Sequence, residues 1–358
     1  MALPERAFRI DRIRPALTAN DLLQSGCLHN PQRECKAVMQ WMPWLTRLFS
    51  AEADIAVFHD FRRPPFGGGN QFMLALSGEL EGRGFRVERN RLSPSSRACL
   101  FNSFNFDFRS LRRAGKSGSA RMVHRVDGPV DRYRGDTRGV DRRIWEINRE
   151  VADATIFQSQ YSLDAHRELG FEFRAPIVIH NAVDPAVFFP GEARLSAGAR
   201  KTRLVSSSWS DNLNKGAAVY KWLEENLDWG RYEYTFVGRS PVRFDRIRMQ
   251  APVAPRRLAA LLREHDIFIT ASLHDPCSNA LLEALACGLP AIYARSGGHP
   301  ELVGDAGYGF DNREEIPELL ACLVGSHELA RRAIDVPRLA RVGTAYLKVM
   351  GLRDTAAE

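Results

Sequence analysis

A chain of 358 residues, 44% apolar and of mixed charge, is long enough to bury two ordinary cores. Its formal charge of +7 is carried almost wholly by Arg, with Lys only at Lys36, Lys116, Lys201, Lys215, Lys221 and Lys348. No basic block is interleaved with aromatics, so nucleic acid is not the expected partner. No apolar run approaches the roughly 20 residues of a membrane span, and MALPERAFRIDRIRP is charged too early for a secretory leader. Six cysteines without a CxxC pair or companion His cluster indicate reduced thiols, not zinc or a disulfide scaffold. A cytoplasmic protein is expected, with a charge suited to anionic lipid at the inner face of the membrane.

Residues 1–50 are weakly patterned apart from a helix expected over 37–49, and they carry no readable chemistry. The apolar run ADIAVFHD from Ala53 predicts a strand, followed by a loop over 61–69, a helix over 70–81 and a strand over 85–88. Further units follow: strand 121–126, helix 141–152, strand 154–158, helix 162–169 and strand 177–180. Residues 184–201, with Pro185, Pro190 and Gly191 and little periodicity, read as a linker. A second series runs through strand 203–207, helix 217–226, strand 233–237, helix 256–263 and strand 267–271. Such alternation predicts an α/β protein of two doubly wound, Rossmann-like domains, 1–187 and 188–358, facing a central cleft. The last helix is expected to return onto the first domain.

The segment DPCSNALLEALACG places two carboxylates, Asp275 and Glu283, across a helix start with seven residues between them. Leu281, Leu282, Leu285 and Ala286 follow helical spacing, and Pro276, Ser278 and Asn279 form a turn and cap. Free amides at that helix start suit a phosphate, and flanking carboxylates accept bonds from sugar hydroxyls. A capped, buried helix with two surface acids satisfies the same pattern. Elsewhere, Gly67, Gly68 and Gly69 precede a helix, with Glu88 about 20 residues on, as in a dinucleotide fingerprint. Phe72 takes the place of the third glycine, which argues against that motif and against a nicotinamide dehydrogenase. In AGKSG the first glycine of a phosphate loop falls on Ser110, so that motif fails too. His124, Arg125 and Asp127 stand together at the end of a strand, where side chains of a doubly wound domain meet ligands. Lys215 follows the first strand of the second domain and precedes a helix, a place for one ammonium against a diphosphate. The loop 296–301, with Gly297, Gly298 and Glu301, is expected to line the cleft.

The run DIFITASLHDPCSNALLEALACGLP resembles the donor-site signature of the retaining family 4 glycosyltransferases of GT-B fold, in which two glutamates so spaced precede an Ala-x-Gly-x-Pro turn. One position departs, Asp275 standing where the family has Glu. RYRGDTRGVDRRIWEINREVADATIFQSQYSLD is similar to a bacterial subgroup of the same family, and the likeness extends over about 53–310. The resemblance implies transfer of a hexose from a UDP-, GDP- or ADP-sugar to a hydroxyl of a saccharide or glycolipid, with retained anomeric configuration and no cofactor. The first domain selects the acceptor. His124, Lys215, Asp275 and Glu283 would be catalytic, with Glu283 on the ribose. Gly68, Gly69, Ser208, Lys215, Gly238, Arg239, Ser278, Asn279, Ala280, Leu281 and Glu283 would hold the donor, and Arg125 and Asp127 would face the acceptor or cleft. Relatives often place an Arg just upstream of the Lys; Ser208, Trp209, Ser210 and Asn212 stand there instead. No DxD pair occurs, so no metal is expected and Lys215 with the helix amides must neutralise the diphosphate. A nucleotide-sugar-binding protein without transferase activity, a GT-B epimerase and a phosphorylase are the alternatives.

Overall fold

The computed structural model describes residues 53–63, 67–104, 106–115, 119–135, 139–192 and 200–353. The helix expected over 37–49 and most of AGKSG lie outside them. Two six-stranded sheets are present. The first has strands β1 (Ile55–Phe58), β2 (Val87–Arg89), β3 (Ala98–Asn102), β4 (Arg121–Val126), β5 (Ala154–Phe157) and β6 (Pro176–Val178), paired in the order 2-1-3-4-5-6. The second has β7 (Thr202–Ser208), β8 (Tyr232–Gly238), β9 (Arg248–Gln250), β10 (Ile267–Thr270), β11 (Ala291–Ala294) and β12 (Gly307–Phe310), in the order 12-11-10-7-8-9. Every pairing is parallel. Parallel strands need crossovers and are covered on both faces, and IAVF, ACLF and IFIT are accordingly buried runs without alternation. Strand β3 was not among the expected elements: ACLFN is five residues long, fully buried and therefore without period. Yet it pairs with both β1 and β4 at the middle of its sheet.

In each sheet the strand order reverses at one point, between β1 and β3 and between β7 and β10, and a crevice opens there at the carboxyl ends. The helices that serve these crevices start as their local chemistry dictates. Helix α1 (Gly68–Gly82) begins two residues earlier than the periodicity predicts, because Gly67, at φ 43°, turns the chain into the helix and its carbonyl accepts from Gln71 N. Asn70 staples the preceding loop, its Oδ1 accepting from Arg62 N at 3.0 Å and its Nδ2 donating to Arg62 O at 2.9 Å. Helix α2 (Phe108–Gly115), short α3 (Val130–Arg134), α4 (Val140–Val151) and α5 (Gln160–Glu168) complete the first domain. The second has α6 (Ala217–Asn226), α7 (Pro255–Arg263), α8 (Asn279–Ala286), α9 (His299–Val303), α10 (Ile316–Gly325) and α11 (His327–Arg332).

The final helix, α12 (Leu339–Val349), belongs by packing to the first domain: Leu339, Val342, Tyr346 and Leu347 are buried with Ile55, Phe72, Leu76 and Leu80. Phe188, at the head of the expected linker, is buried with Leu281 and Leu285 of the second domain, and Gly191 N donates to Cys287 O. The chain therefore crosses between the domains twice, which limits how far they can part.

Candidate functional site

The two switch-point strands of the second domain, β7 and β10, deliver Lys215 and Asp275 from the loops that follow them. Asn212 caps a 3-10 turn, Leu213–Lys215, its side chain accepting from Asn214 N. Gly216, at φ 83°, then turns the chain into α6, passing so close to Ala271 that an added Cβ would lie 2.4 Å from the Ala271 Cβ. Lys215 Nζ lies 2.8 Å from Asp275 Oδ2 and sits 5.0 Å from the centre of the Tyr133 ring. Burial works against both charges, but each partner overrides it for the other: Lys215 is held above its usual range, helped by Tyr133, and Asp275 below its own, helped by His299. The backbone carbonyl of Tyr133 accepts from Asn212 Nδ2 and Asn214 Nδ2, both at 2.8 Å, so α3 of the first domain is bound directly to the lysine turn.

Glu283 is different. It is buried within α8, and no hydrogen bond or ion pair reaches its carboxyl among the described residues. Burial alone pushes it up to about 8. It lines a pocket with Gly67, Gly68, Gln71, Ser207, Ser208, Trp209, Val237, Gly238, Val253, Leu258 and Ala280. The same Gly68, Gln71 and Glu283 border a second cavity of about 690 Å³. Arg239 does not line this pocket; it is exposed, and its guanidinium lies 5.2 Å from the ring of Trp209, which does.

Ser278 caps α8 as its sequence predicts, its Oγ accepting from Leu281 N. Asn279 Oδ1 accepts from Asn181 Nδ2 of the first domain at 3.2 Å. Helix α1 meets α8 so closely here that a Cβ on Gly68 would lie 2.4 Å from the Asn279 Cβ. Gly68 is therefore required by packing of one domain on the other, and Gly69 borders neither cavity. Gly238 has a comparable reason, since a Cβ there would meet Ser208 O at 1.8 Å. Leu281, named for the donor as part of the helix start, buries its side chain fully in the second-domain core, as its apolar helical position predicts.

The first-domain trio does not stay together. His124 is fully buried, stacked 4.3 Å from the Phe101 ring, with Nε2 3.0 Å from Ser103 O and Nδ1 3.2 Å from Asn148 Nδ2. Burial pushes it down to about 3, so it is a neutral core histidine and its expected catalytic place is corrected. Strand alternation explains this: His124 and Arg125 point to opposite faces of β4. Arg125 is buried too, bonding Asn102 Oδ1, Asp127 Oδ1 at 2.9 Å and Asn181 Oδ1 at 2.8 Å over the Phe72 ring. Asp127, about a third exposed, also accepts from Gln158. Gln158 Oε1 accepts from Asn181 Nδ2 in turn, so the network runs from Arg125 to Asn279 across the domain boundary. The histidine nearer this network is His59 at the end of β1, its Nδ1 3.1 Å from Asn102 Nδ2, pushed down to about 4 by burial and by Arg125.

The loop over 296–301 packs beneath Asp275: Gly298 N donates to Asp275 O at 2.9 Å, and a Cβ on Gly297, at φ 67°, would lie 2.2 Å from the same oxygen. Glu301 reaches the other domain. Its carboxylate accepts from Gln160 N and Tyr161 N, both at 2.8 Å, at the start of α5, and lies 3.1 Å from His180 Nε2. Tyr161 Oη lies 3.0 Å from His274 Nδ1, one residue before Asp275. The sequence offered no signal for Tyr133, Gln158 or Asn181, since single polar residues after short strands are common. Among the described residues, no group of three or more His, Cys, Asp or Glu is placed to hold a metal, and no helix is long and apolar enough to cross a membrane.

Residues 230–325 match the model of the family described as Glycosyl transferases group 1, a stretch that contains Asp275, Glu283 and Glu301. The two-sheet architecture is thus that of the GT-B fold, and within its second domain the stretch 230–325 is similar to a glycosyl transferases group 1 domain. A phosphatidylinositol N-acetylglucosaminyltransferase protein from Arabidopsis thaliana is 31% identical over 142 residues, covering 36% of this chain and 31% of that protein. The chain thus matches about a third of the length of that curated relative. Among solved structures, HepE of Anabaena in complex with UDP-glucose is similar with a TM-score of 0.61 at 15% identity, over 82% of this chain and 99% of that one. The catalytic domain of starch synthase IV from Arabidopsis thaliana, bound to ADP and acarbose, also has a TM-score of 0.61, at 11% identity over 84% and 99%. At such identities the likeness concerns the fold.

Proposed function

We propose that this protein is a retaining, metal-independent glycosyltransferase that moves a hexose from a nucleoside-diphosphate sugar to a hydroxyl of a saccharide or lipid-linked acceptor. The observation that carries the reading is Glu283, an unpaired buried carboxyl facing a pocket at the crevice of the second sheet, where the loops after β7 and β10 also carry the Lys215–Asp275 pair. A nucleoside entering there gives Glu283 hydroxyl donors, and its diphosphate would lie toward Lys215. Lys215 then neutralises charge on the departing phosphate, where a preformed cation acts most strongly because it needs no reorganisation. The phosphate oxygen itself takes the acceptor proton on the same face of the sugar. Asp275 is released from Lys215 as the diphosphate arrives and becomes free to accept from the transferred sugar.

The donor is a UDP-, GDP- or ADP-sugar, the solved neighbours holding UDP-glucose in one case and ADP in another. A lipid-linked acceptor, with the enzyme peripheral at the inner face of the membrane, agrees with the net charge of +7 and with the name of the curated relative. Thermal denaturation with UDP, GDP, ADP and their common sugars, in EDTA and in magnesium, tests the donor. One nucleotide should raise the midpoint equally in both media. Proton NMR of the product should show the donor's anomeric configuration, and an inverted product or a magnesium requirement refutes the corresponding part. Because Asp275 already holds Lys215 at 2.8 Å, a nucleotide-sugar-binding protein without transfer is the second reading, and it is excluded by any turnover of the donor.

A further inference from the structure

Three polar groups line the Glu283 pocket without a partner among the described residues: Ser207 Oγ and Gln71 Nε2, both fully buried atoms, and the Glu283 carboxyl, which no hydrogen bond or ion pair reaches. Two come from the second domain. Gln71 comes from the first, on α1, where the Gly68–Asn279 contact fixes the approach of the two helices. Glu283 follows Asn279 by four positions on α8 and so lies on the same face of that helix. The arrangement of Gln71 against Glu283 is thus set by backbone packing.

Each unpaired buried group is unfavourable, and none of the three relieves another although two are donors and one an acceptor. A ligand suits the site if it offers hydroxyl hydrogens to a carboxylate and oxygen lone pairs to an amide and a hydroxyl within one small group. A vicinal diol does both. A phosphate would set like charge against Glu283 once that acid ionises. We propose that Gln71 is a specificity-determining residue that reads the ribose diol of the donor nucleotide from the domain opposite Glu283, with Ser207 as the second donor. The inference rests on the nucleotide-sugar reading and deepens it: half of the ribose recognition belongs to the first domain, so nucleotide binding favours the juxtaposed domains.

The test is calorimetric titration of wild type, Gln71→Leu and Gln71→Glu with UDP, GDP and ADP and with their 2′-deoxy and 3′-deoxy forms. Wild type should bind the ribonucleotide at least tenfold more tightly than one of its deoxy forms. Gln71→Leu should shrink that ratio at least threefold while melting without ligand no lower than wild type, because an unpartnered amide is removed. Gln71→Glu, of the same shape, should weaken the ribonucleotide more than Gln71→Leu does. An unchanged ribo-to-deoxy ratio in both variants overturns the role of Gln71 while leaving the nucleotide reading intact. Binding of none of these nucleotides to wild type overturns both.

Discussion

Each domain carries a cation at the end of its sheet, Arg125 fully buried and Lys215 about a fifth exposed, and the two are held in opposite ways. Arg125 of the first domain is enclosed by Asn102, Asp127 and Asn181, so its charge is consumed by the protein. Lys215 of the second domain has one acid, Asp275, and one aromatic ring beside it. A charge surrounded by several side-chain acceptors fixes structure, whereas one held by a single acid can exchange that acid for a ligand. On the proposed function, the difference separates a domain that positions from a domain that binds.

Replacing Lys215 should have the largest effect. Lys215→Ala is expected to reduce transfer at least 100-fold, and it also leaves Asp275 buried without its cation, a loss of about 3–5 kcal/mol in stability. Urea denaturation of Lys215→Ala/Asp275→Asn should recover most of that stability without recovering transfer. If the double variant stays as unstable as the single one, the pair is not what holds Asp275. Arg125→Met should resemble Lys215→Ala in denaturation, with a loss of about 3 kcal/mol from stranding Asp127 and two amides. It should differ in leaving nucleotide affinity within about threefold, and an affinity loss as large as that of Lys215→Ala would erase the contrast between the domains.

Glu283 sharpens the comparison through pH. Its folded value is raised to about 8 from the usual 4.5, so the folded chain holds a proton that the unfolded chain gives up between those values. Stability should fall as pH rises across that window, by up to about 1.4 kcal/mol per pH unit. Nucleotide affinity should move the other way, since hydroxyl donors favour the carboxylate, and should improve up to about tenfold per unit below pH 8. Glu283→Gln should flatten both profiles, which calorimetry in matched buffers would show. The smallest effect is expected at Glu301: Glu301→Gln retains one acceptor but loses the carboxylate clasp on α5, lowering kcat/KM by about three- to tenfold with little change in the nucleotide Kd. An equal loss in Kd would place Glu301 at the donor instead of at the domain junction.

The second-domain site was the more legible because it is local. Asp275, Ser278, the apolar positions of α8 and Glu283 lie within twelve residues, and helix periodicity with a serine cap fixes their relation before any long-range contact forms. Lys215 was legible as a cation at a strand-to-helix turn. The first-domain trio misled for a physical reason: neighbours on a strand face opposite ways, so His124 enters the core while Arg125 enters the polar network. Gly68 was legible as a loop residue, but the need for it comes from Asn279, 211 positions away.

What the sequence by itself determined is the alternation of strand and helix, hence two parallel sheets with crevices at their carboxyl ends, and the acid spacing across one helix start. Those follow from hydrophobic period, caps and turns, all set within a few residues. Only the tertiary structure decided which polar groups were satisfied internally. It gave Asp275 to Lys215, gave Arg125 to two asparagines and Asp127, and brought Gln71 beside Glu283 without a bond. Satisfaction of a polar group is a property of what lies within 3 Å in space, and in this chain such neighbours stand far apart in sequence, Asp275 60 positions from Lys215 and Asn181 56 from Arg125.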